Sequence, residues 1–223
     1  MEVLFEIRRK AIHAILGMAF CFLIYFDLFF PLFWLGILIF GIFLSFLLKR
    51  HRNYWAVSKA SGSRSEANID QRSWWETWLL SSLFSFEREE EIKKFPLQGA
   101  ISFLFGCILS FLLFPKLIAI SAIITLFVGD SVACFYGIYF GKIKIPWSLK
   151  KHLDAALVGA FTSAIFIFLL LNIEKETFPF WKGFLASTLA LIFESLKFGQ
   201  KNISIDDNIL IPLISGFILY LLN

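Results

Sequence analysis

The sequence is poor in charge, and this scarcity is the first constraint on its class. Asp, Glu, Lys and Arg make up 17% of its 223 residues, whereas 58% are hydrophobic and 29 residues are Phe. A soluble domain typically has about 25% charged and about 50% apolar residues. The composition therefore excludes an ordinary soluble domain and favours a chain whose solvent is largely lipid.

Cysteine is also scarce, with three residues in the whole chain. Cys21, Cys107 and Cys134 all lie within long apolar runs, and their spacing matches no zinc motif. These features therefore indicate neither a disulfide framework nor a zinc site. We interpret the cysteines as small packing residues.

The excess of positive charge is small, at a formal net charge of +4. Nucleic-acid binding is one explanation of a basic chain, but here the basic residues flank apolar runs, as membrane orientation alone requires. We therefore expect the lipid bilayer as a partner and no nucleic acid.

Long apolar runs are what the sequence has in abundance. A bilayer core of roughly 30 Å needs about 17 to 25 apolar residues per helix. The sequence predicts an all-α fold, a polytopic membrane bundle of about seven transmembrane helices that forms one domain over residues 1–223. The predicted spans are Ala11 to Phe30, Leu32 to Leu48, Leu97 to Phe114, Leu117 to Phe140, Ala155 to Leu171, Phe180 to Leu196 and the short Ile209 to Leu222.

The first apolar run follows a basic start, as a secretory signal does, but it is long and no small-residue cleavage site follows it. We expect it to be a retained helix. With a cytoplasmic N-terminus and seven crossings, most of the 21 Lys and Arg residues lie on the inner side, and Lys116, Lys175 and Lys182 lie outside. This positive-inside bias predicts an integral, multi-pass protein with its functional residues facing the cytoplasm.

The one long polar segment runs from Lys49 to Pro96 and is predicted to be a cytoplasmic or interfacial loop. Tyr54 to Gln71, rich in Ser, Asn and charge, is typical of a loop or a partly disordered segment. Ser73 to Phe86 has Trp and Leu at helical spacing. That pattern fits a helix in the inner membrane interface, or equally an amphipathic helix packed against the bundle.

Asp130 is the first candidate functional residue, because it lies about ten residues inside the fourth predicted span, in VGDSVACFYGIYFGK. A carboxylate in a membrane needs a partner. The preceding Gly129 lets the helix loosen or another backbone approach. Asp130 is either paired with a lysine for packing or has a metal or proton role.

A basic cluster follows on the same segment, where Gly141 precedes Lys142 and further lysines extend to Lys151. Small residues let backbone donors approach a ligand, and lysines supply point charges for phosphates. The pattern suits a polyanionic ligand. A basic loop at the inner leaflet is equally what topology alone produces.

Acidic residues fall on the same predicted face of the membrane. Glu194 ends the sixth span, and Asp207 with Asn208 precedes the seventh. Oxygen ligands suit Mg²⁺, which takes one or two protein carboxylates and completes its shell with phosphates and water. Carboxylates beside lysines therefore indicate a magnesium–nucleotide site, to which the N-terminal segment adds Arg9, Lys10 and His13 at the same level. A membrane anchor and a buried, satisfied histidine are the alternatives for that segment.

Three blocks of sequence resemble the polyprenol kinase family, which includes phytol kinase, dolichol kinase and the CTP-dependent diacylglycerol kinase. They are EIRRKAIHAILG at the start, GDSVACFYGIYFGKIKIPWSLKKHLDAALVGA in the middle, and ESLK followed by IDDNILIP near the end. Phosphatidate cytidylyltransferase belongs to the wider group and shares the middle block, so that block implies CTP rather than one reaction. The ends favour the kinases, because the cytidylyltransferase ending is absent.

The sequence departs from the family at the Lys-Ser/Thr-x-Glu-Gly motif, which maps onto Lys151 to Ala155. His152, Asp154 and Ala155 differ from the motif. Asp for Glu keeps the charge but shortens the reach, and Ala for Gly reduces backbone freedom.

The resemblance implies transfer of the γ-phosphate of CTP to the hydroxyl of a membrane isoprenoid alcohol, with Mg²⁺ as cofactor. Asp130, Glu194 and Asp207 are the implied catalytic and metal-binding residues. The residues implied for nucleotide, phosphate or acceptor head are Arg9, Lys10, His13, Gly129, Gly141, Lys142, Lys151, Asp154 and Asn208.

Two other functions stay open. Cytidylyl transfer from CTP to a lipid phosphate is one, and a transporter with Asp130 on its substrate path is the other. Acceptor chain length and oligomeric state are left open by the sequence.

Overall fold

The computed structural model describes residues 2–28, 31–60, 97–148, 151–174, 178–196 and 206–223. Within these ranges the chain forms helices and no strand, apart from one isolated bridge between Lys144 and His152. The all-helical prediction is therefore confirmed. The helices are α1 (Glu2–Tyr25), α2 (Pro31–Ala60), α3 (Gln98–Leu113), α4 (Lys116–Tyr139), α5 (Leu153–Ile173), α6 (Phe180–Phe193) and α7 (Asp207–Leu222).

Two of these helices are long and apolar enough to cross a membrane. They are α4, with 24 residues, and α5, with 21. Several others are apolar but shorter, among them α3, α6 and α7. The number of spans, seven in the sequence-based prediction, stays a prediction.

The chain divides into two compact units. The first comprises Met1–Trp34 and Ser102–Asn223, and the second is Leu35–Ile101. In the second unit α2 continues to Ala60, so the loop predicted from Tyr54 was wrong for its first seven residues. No Pro or Gly lies between Gly41 and Gly62, so the polar stretch contains no residue that breaks the helix earlier. The predicted interfacial helix at Ser73 to Phe86 lies outside the described residues.

Helix α4 runs through the middle of the first unit and contacts α1, α5, α6 and α7. Its first half is buried from Ile118 to Phe127, and small residues such as Ala119 and Ala122 let neighbouring helices approach. The second half differs, because Asp130 is its one buried residue. The central helix thus leaves the core just after Asp130.

A widened turn interrupts α4 directly before Asp130. Thr125–Gly129 forms a π-helix, and Thr125 shares a hydrogen bond of 3.0 Å with the Ser187 hydroxyl of α6. At the same level α5 approaches closely, since a Cβ on Gly159 would lie 2.3 Å from the carbonyl oxygen of Gly129. Such one-turn π segments occur often at functional sites.

Helix α1 ends earlier than the predicted boundary at Phe30. Asp27 has a φ of 53°, and the N–H groups of Asp27 and Leu28 donate to the carbonyls of Ile24 and Leu23 at 3.1 and 3.0 Å. This is a Schellman motif, in which Asp takes the left-handed position usually held by Gly. The closed turn ends α1 at Tyr25 although the sequence remains apolar beyond it.

Candidate functional site

The described residues between α4 and α5 are joined by hydrogen bonds between their own backbone groups. The N–H of Ile145 donates to the Lys151 carbonyl at 3.1 Å, and the N–H of Leu153 donates to the Ile143 carbonyl at 2.7 Å. Asp154 accepts from the backbone N–H of Lys142 at 2.8 Å and from its neighbour Ala155 at 3.1 Å. Partial desolvation opposes ionisation, but these N–H donors outweigh it and lower the pKa of Asp154. These hydrogen bonds therefore fix the position of the Lys151 backbone.

Lys151 lies between two carboxylates from different helices. Its ammonium contacts Glu194, at the end of α6, and Asp207, at the start of α7, where the Nζ–Oδ2 distance is 3.0 Å. Desolvation disfavours the charged ammonium, but the charges of Glu194 and Asp207 outweigh it and raise the pKa of Lys151. Lys151 is thus held as a cation at the point where three segments meet.

One of the two carboxylate oxygens of Glu194 has no hydrogen-bond partner among the described residues. Glu194 is 8% exposed, one carboxylate oxygen contacts Lys151, and the oxygen without a partner is the buried Oε2. Buried polar atoms are nearly always paired, so this oxygen suits a cation or a donor on a ligand. The arrangement of Glu194 and Asp207 fits a Mg²⁺ ion held by two carboxylates and phosphate oxygens. Within the described residues no group of three or more Asp, Glu, His or Cys side chains is placed to hold a metal by itself.

A second ion pair lies between α1 and α4. Lys10 contacts the carboxylate of Asp130, and both side chains are largely buried. The Ser131 hydroxyl donates to the Lys10 carbonyl at 3.4 Å, which ties the same two helices together. Arg9 pairs with Glu6 one turn away at 2.8 Å. Asp130 therefore has the lysine partner that a carboxylate inside an apolar span requires.

His13 and Asn208 complete the surroundings of the site. The His13 ring is buried and stacked on Phe103 of α3, with ring centroids 4.9 Å apart. Asn208 donates from Nδ2 to the Ser102 hydroxyl at 3.2 Å, and its own backbone N–H is capped by Asp206. Both residues contact α3, so that helix supports the site without contributing a charge.

The two ion-paired groups belong to one electrostatic site. Asp130 is close enough to Lys151 and to Glu194 for their charges to interact. The structure thus brings together residues from five separate parts of the chain, all of them predicted from the sequence. They are Arg9, Lys10, His13, Asp130, Lys151, Glu194, Asp207 and Asn208.

Other predicted residues lie elsewhere in the loop or core. Lys142 is exposed and contributes its backbone N–H to Asp154. Gly141 lies against the ring of His152, where a Cβ would come within 2.7 Å of the imidazole. Gly129 is buried in the π segment against α5. Gly141, Asp154 and Gly129 therefore shape the site through the backbone.

Sequence reasoning missed two contacts at the site. Trp147 donates from Nε1 to the Ser195 hydroxyl at 2.8 Å, and Phe103 stacks on His13. Neither pair has a local sequence signal, because its two members are far apart in the chain.

The charges at the other end of the bundle form separate pairs. Lys116 contacts Asp27, and Tyr25 contacts Glu174. Tyr25 and Asp27 lie at the end of α1, Lys116 is the first residue of α4, and Glu174 directly follows α5. These groups therefore lie at the opposite ends of those helices from the site.

Comparison with known proteins identifies a relative of this chain, but the name of that relative states no function. The chain is 33% identical over 143 residues to Uncharacterized protein MJ1137 of Methanocaldococcus jannaschii. The match covers 63% of this chain and 66% of the relative, so the chain spans just under two thirds of that protein's length. No family model and no solved structure matches the chain.

Proposed function

We propose that the chain is a multi-pass membrane protein of about seven spans with a cytoplasmic N-terminus. Large apolar side chains point outward from the helices, among them Ile15, Phe40 and Phe161. Lipid is the solvent that tolerates such a surface. In the first unit, Lys151 precedes α5 and Glu174 directly follows it, so these two charges lie at opposite ends of one helix, as two membrane faces require.

We further propose that the site is a CTP-dependent kinase site that phosphorylates a membrane isoprenoid alcohol and opens to the cytoplasm. One observation carries this proposal: Lys151 lies between Glu194 and Asp207, close to Asp130. The three sequence blocks that resemble polyprenol kinases all contribute to this arrangement. A lysine beside two carboxylates is suited to nucleotide phosphates bound with a divalent cation.

The carboxylates divide into two groups by their partners. Glu194 and Asp207 share Lys151, and Glu194 has the unpaired oxygen, so these two residues would hold Mg²⁺. When bound, Mg²⁺ supplies charge neutralisation at the phosphates. Lys151 would then exchange its carboxylate partners for phosphate oxygens. The loop backbone that fixes Lys151 keeps it in reach of both.

Asp130 is assigned to the acceptor alcohol. It is the one buried residue in the half of α4 that leaves the core, next to lipid-facing side chains such as Phe135 and Ile138. In the proposed reaction a bond forms between the hydroxyl oxygen and the γ-phosphorus, and the bond to the β–γ bridging oxygen breaks. The electron pair leaves with CDP, and the hydroxyl proton passes to Asp130, which Lys10 holds in place.

The test is product analysis with the purified full chain in detergent, Mg²⁺, and a panel of phytol, longer polyprenols and diacylglycerol. One reaction set contains CTP labelled at the γ-phosphate and a parallel set contains CTP labelled at the α-phosphate. The proposal predicts that the γ label enters an organic-soluble lipid monophosphate and that the α label stays in water-soluble CDP.

Other products would contradict the kinase assignment. Entry of the α label into lipid, with pyrophosphate released when a lipid phosphate is supplied, identifies a cytidylyltransferase. Absence of transfer to any acceptor, together with nucleotide-independent substrate flux in liposomes, identifies a transporter.

A further inference from the structure

Trp147 is an exposed aromatic residue held at the edge of the site. Its side chain is 55% exposed, yet its indole Nε1 donates to the hydroxyl of Ser195, which is 4% exposed. Ser195 directly follows Glu194, whose carboxylate contacts Lys151. The indole edge is therefore anchored beside the candidate phosphate site, while much of the ring surface remains open.

The backbone around Trp147 also limits its movement. Ile145, two residues before it, is 2% exposed and anchors the loop in the core. The N–H of Ser148 donates to the Ile145 carbonyl at 2.9 Å, and the N–H of Lys151 donates to the Ser148 hydroxyl at 3.2 Å. The bond from Ile145 N–H to the Lys151 carbonyl closes the loop. Trp147 and Lys151 thus lie in described parts of the loop that hydrogen bonds join to each other.

We propose that Trp147 is the base platform of the nucleotide site: the open face of its indole stacks on the nucleobase while Lys151 binds the phosphates. This inference rests on the proposed function and adds the residue that receives the base. A tryptophan fixed by its N–H needs little ordering on binding, because its edge is already hydrogen-bonded.

The proposed contact has a specific thermodynamic signature. Base–aromatic stacking is tolerant of base identity, since every base has a π-face. Loss of the Trp147 ring should therefore weaken the binding of CTP, UTP and ATP by a similar factor. It should leave inorganic triphosphate, which has no base, bound as before. Choice of cytosine over other bases must then come from other groups.

The experiment measures equilibrium binding to the purified full chain in detergent with Mg²⁺. The probes are radiolabelled CTP and unlabelled inorganic triphosphate as its competitor. The variants are W147L, which keeps an apolar side chain without a ring, and W147F, which keeps a ring. W181L is the matched control, because Trp181 is 53% exposed and lies at the start of α6, the opposite end of that helix from Ser195.

The inference predicts that W147L raises the Kd for CTP by about 5- to 100-fold. W147F should stay within about threefold of the unaltered chain. Competition by triphosphate should be unchanged in both variants, and W181L should bind CTP normally.

Three outcomes would overturn the inference. The first is unchanged CTP affinity in W147L. The second is an equal loss of CTP affinity in W147L and W181L, which would identify both tryptophans as anchors in the membrane interface. The third is a parallel loss of CTP and triphosphate in both W147L and W147F, which identifies a structural residue. If the unaltered chain binds neither probe, the proposed nucleotide site itself fails, and this result is distinct from the other three.

Discussion

At the scale of single residues, the site consists of two lysines paired with three carboxylates at the end of an apolar bundle. Lys10 is paired with Asp130, and Lys151 is paired with Glu194 and Asp207. Each pair joins parts of the chain that are far apart in sequence. Lys10, Asp130 and Glu194 are largely buried, and buried charges are costly unless matched, so each of these three groups should matter chiefly through its partner.

The Lys10–Asp130 pair gives a direct test of this coupling. The two side chains are 13% and 11% exposed, so K10M leaves a buried carboxylate with less compensation. We expect K10M to lower the free energy of unfolding by about 3 kcal/mol. Adding D130N removes the remaining charge, so the double variant should be more stable than K10M alone. Unfolding in SDS titrations measures both values.

Additive losses in K10M and D130N would contradict a coupled pair. A suitable control is the exposed pair of Lys116 and Asp27, for which we expect K116M to change stability by less than about 1 kcal/mol.

The types of the site residues could be predicted from the sequence, but their pairing could not. Asp130 and Glu194 stand out because ionisable residues are rare in apolar runs. Which lysine meets which carboxylate depends on the rotation and packing of helices, and no local pattern encodes it. The Trp147–Ser195 contact joins residues of separate segments for the same reason.

At the scale of helices, close approach of α4 and α5 positions Asp130. A Cβ on Gly159 would lie 2.3 Å from the Gly129 oxygen and 2.9 Å from the Cβ of Ala133. The helices must separate to accept it, so we expect G159A to destabilise the chain by about 1–3 kcal/mol. The proposed phosphoryl transfer should fall as well, because Asp130 directly follows Gly129.

Gly36 of α2 provides the matched control for this prediction. A Cβ there meets no atom of the described residues within 4 Å, so G36A should be neutral or stabilise by up to about 1 kcal/mol through reduced backbone entropy of the unfolded chain. Thermal melting of the two variants in detergent compares them. Equal melting temperatures would contradict close packing at Gly159.

The loop between α4 and α5 should depend on Asp154. D154A removes the acceptor for the Lys142 N–H, so hydrogen exchange at that amide should accelerate in the variant. The pKa of Asp154 is lowered in the folded chain, so its contribution is present above the ordinary value and is lost only as the pH falls through the lower folded value. Protection of Lys142 in the unaltered chain should therefore persist down to about pH 4. Identical exchange in D154A and the unaltered chain would contradict this role.

The presence of the helices could be predicted from the apolar runs, whereas the residues at which some helices end could not. Apolar runs gave α4 and α5 to within a few residues. The end of α1 was wrong because a Schellman turn at Asp27 stops the helix inside a run that stays apolar. The predicted end of α2 was wrong because polar composition does not by itself stop a helix, and no Pro or Gly lies between Gly41 and Gly62.

At the scale of the whole molecule, the proposed topology has seven crossings with the N-terminus inside and the C-terminus outside. Labelling of single cysteines with an impermeant maleimide tests it, after Cys21, Cys107 and Cys134 are replaced by Ser. We expect N223C to be labelled in intact cells and K144C only after permeabilisation, because these exposed positions lie on opposite proposed faces. Labelling of both in intact cells would contradict the orientation.

The most direct test of the central claim compares phosphoryl transfer from γ-labelled CTP by the unaltered chain, E194Q and D27N. Each variant removes one carboxylate charge, but Glu194 lies at the site and Asp27 pairs with Lys116 at the other end of the bundle. The account predicts a fall on the order of 100-fold or more in labelled lipid for E194Q, and no appreciable change for D27N. Equal transfer by the two variants, or no labelled lipid from the unaltered chain, would contradict it.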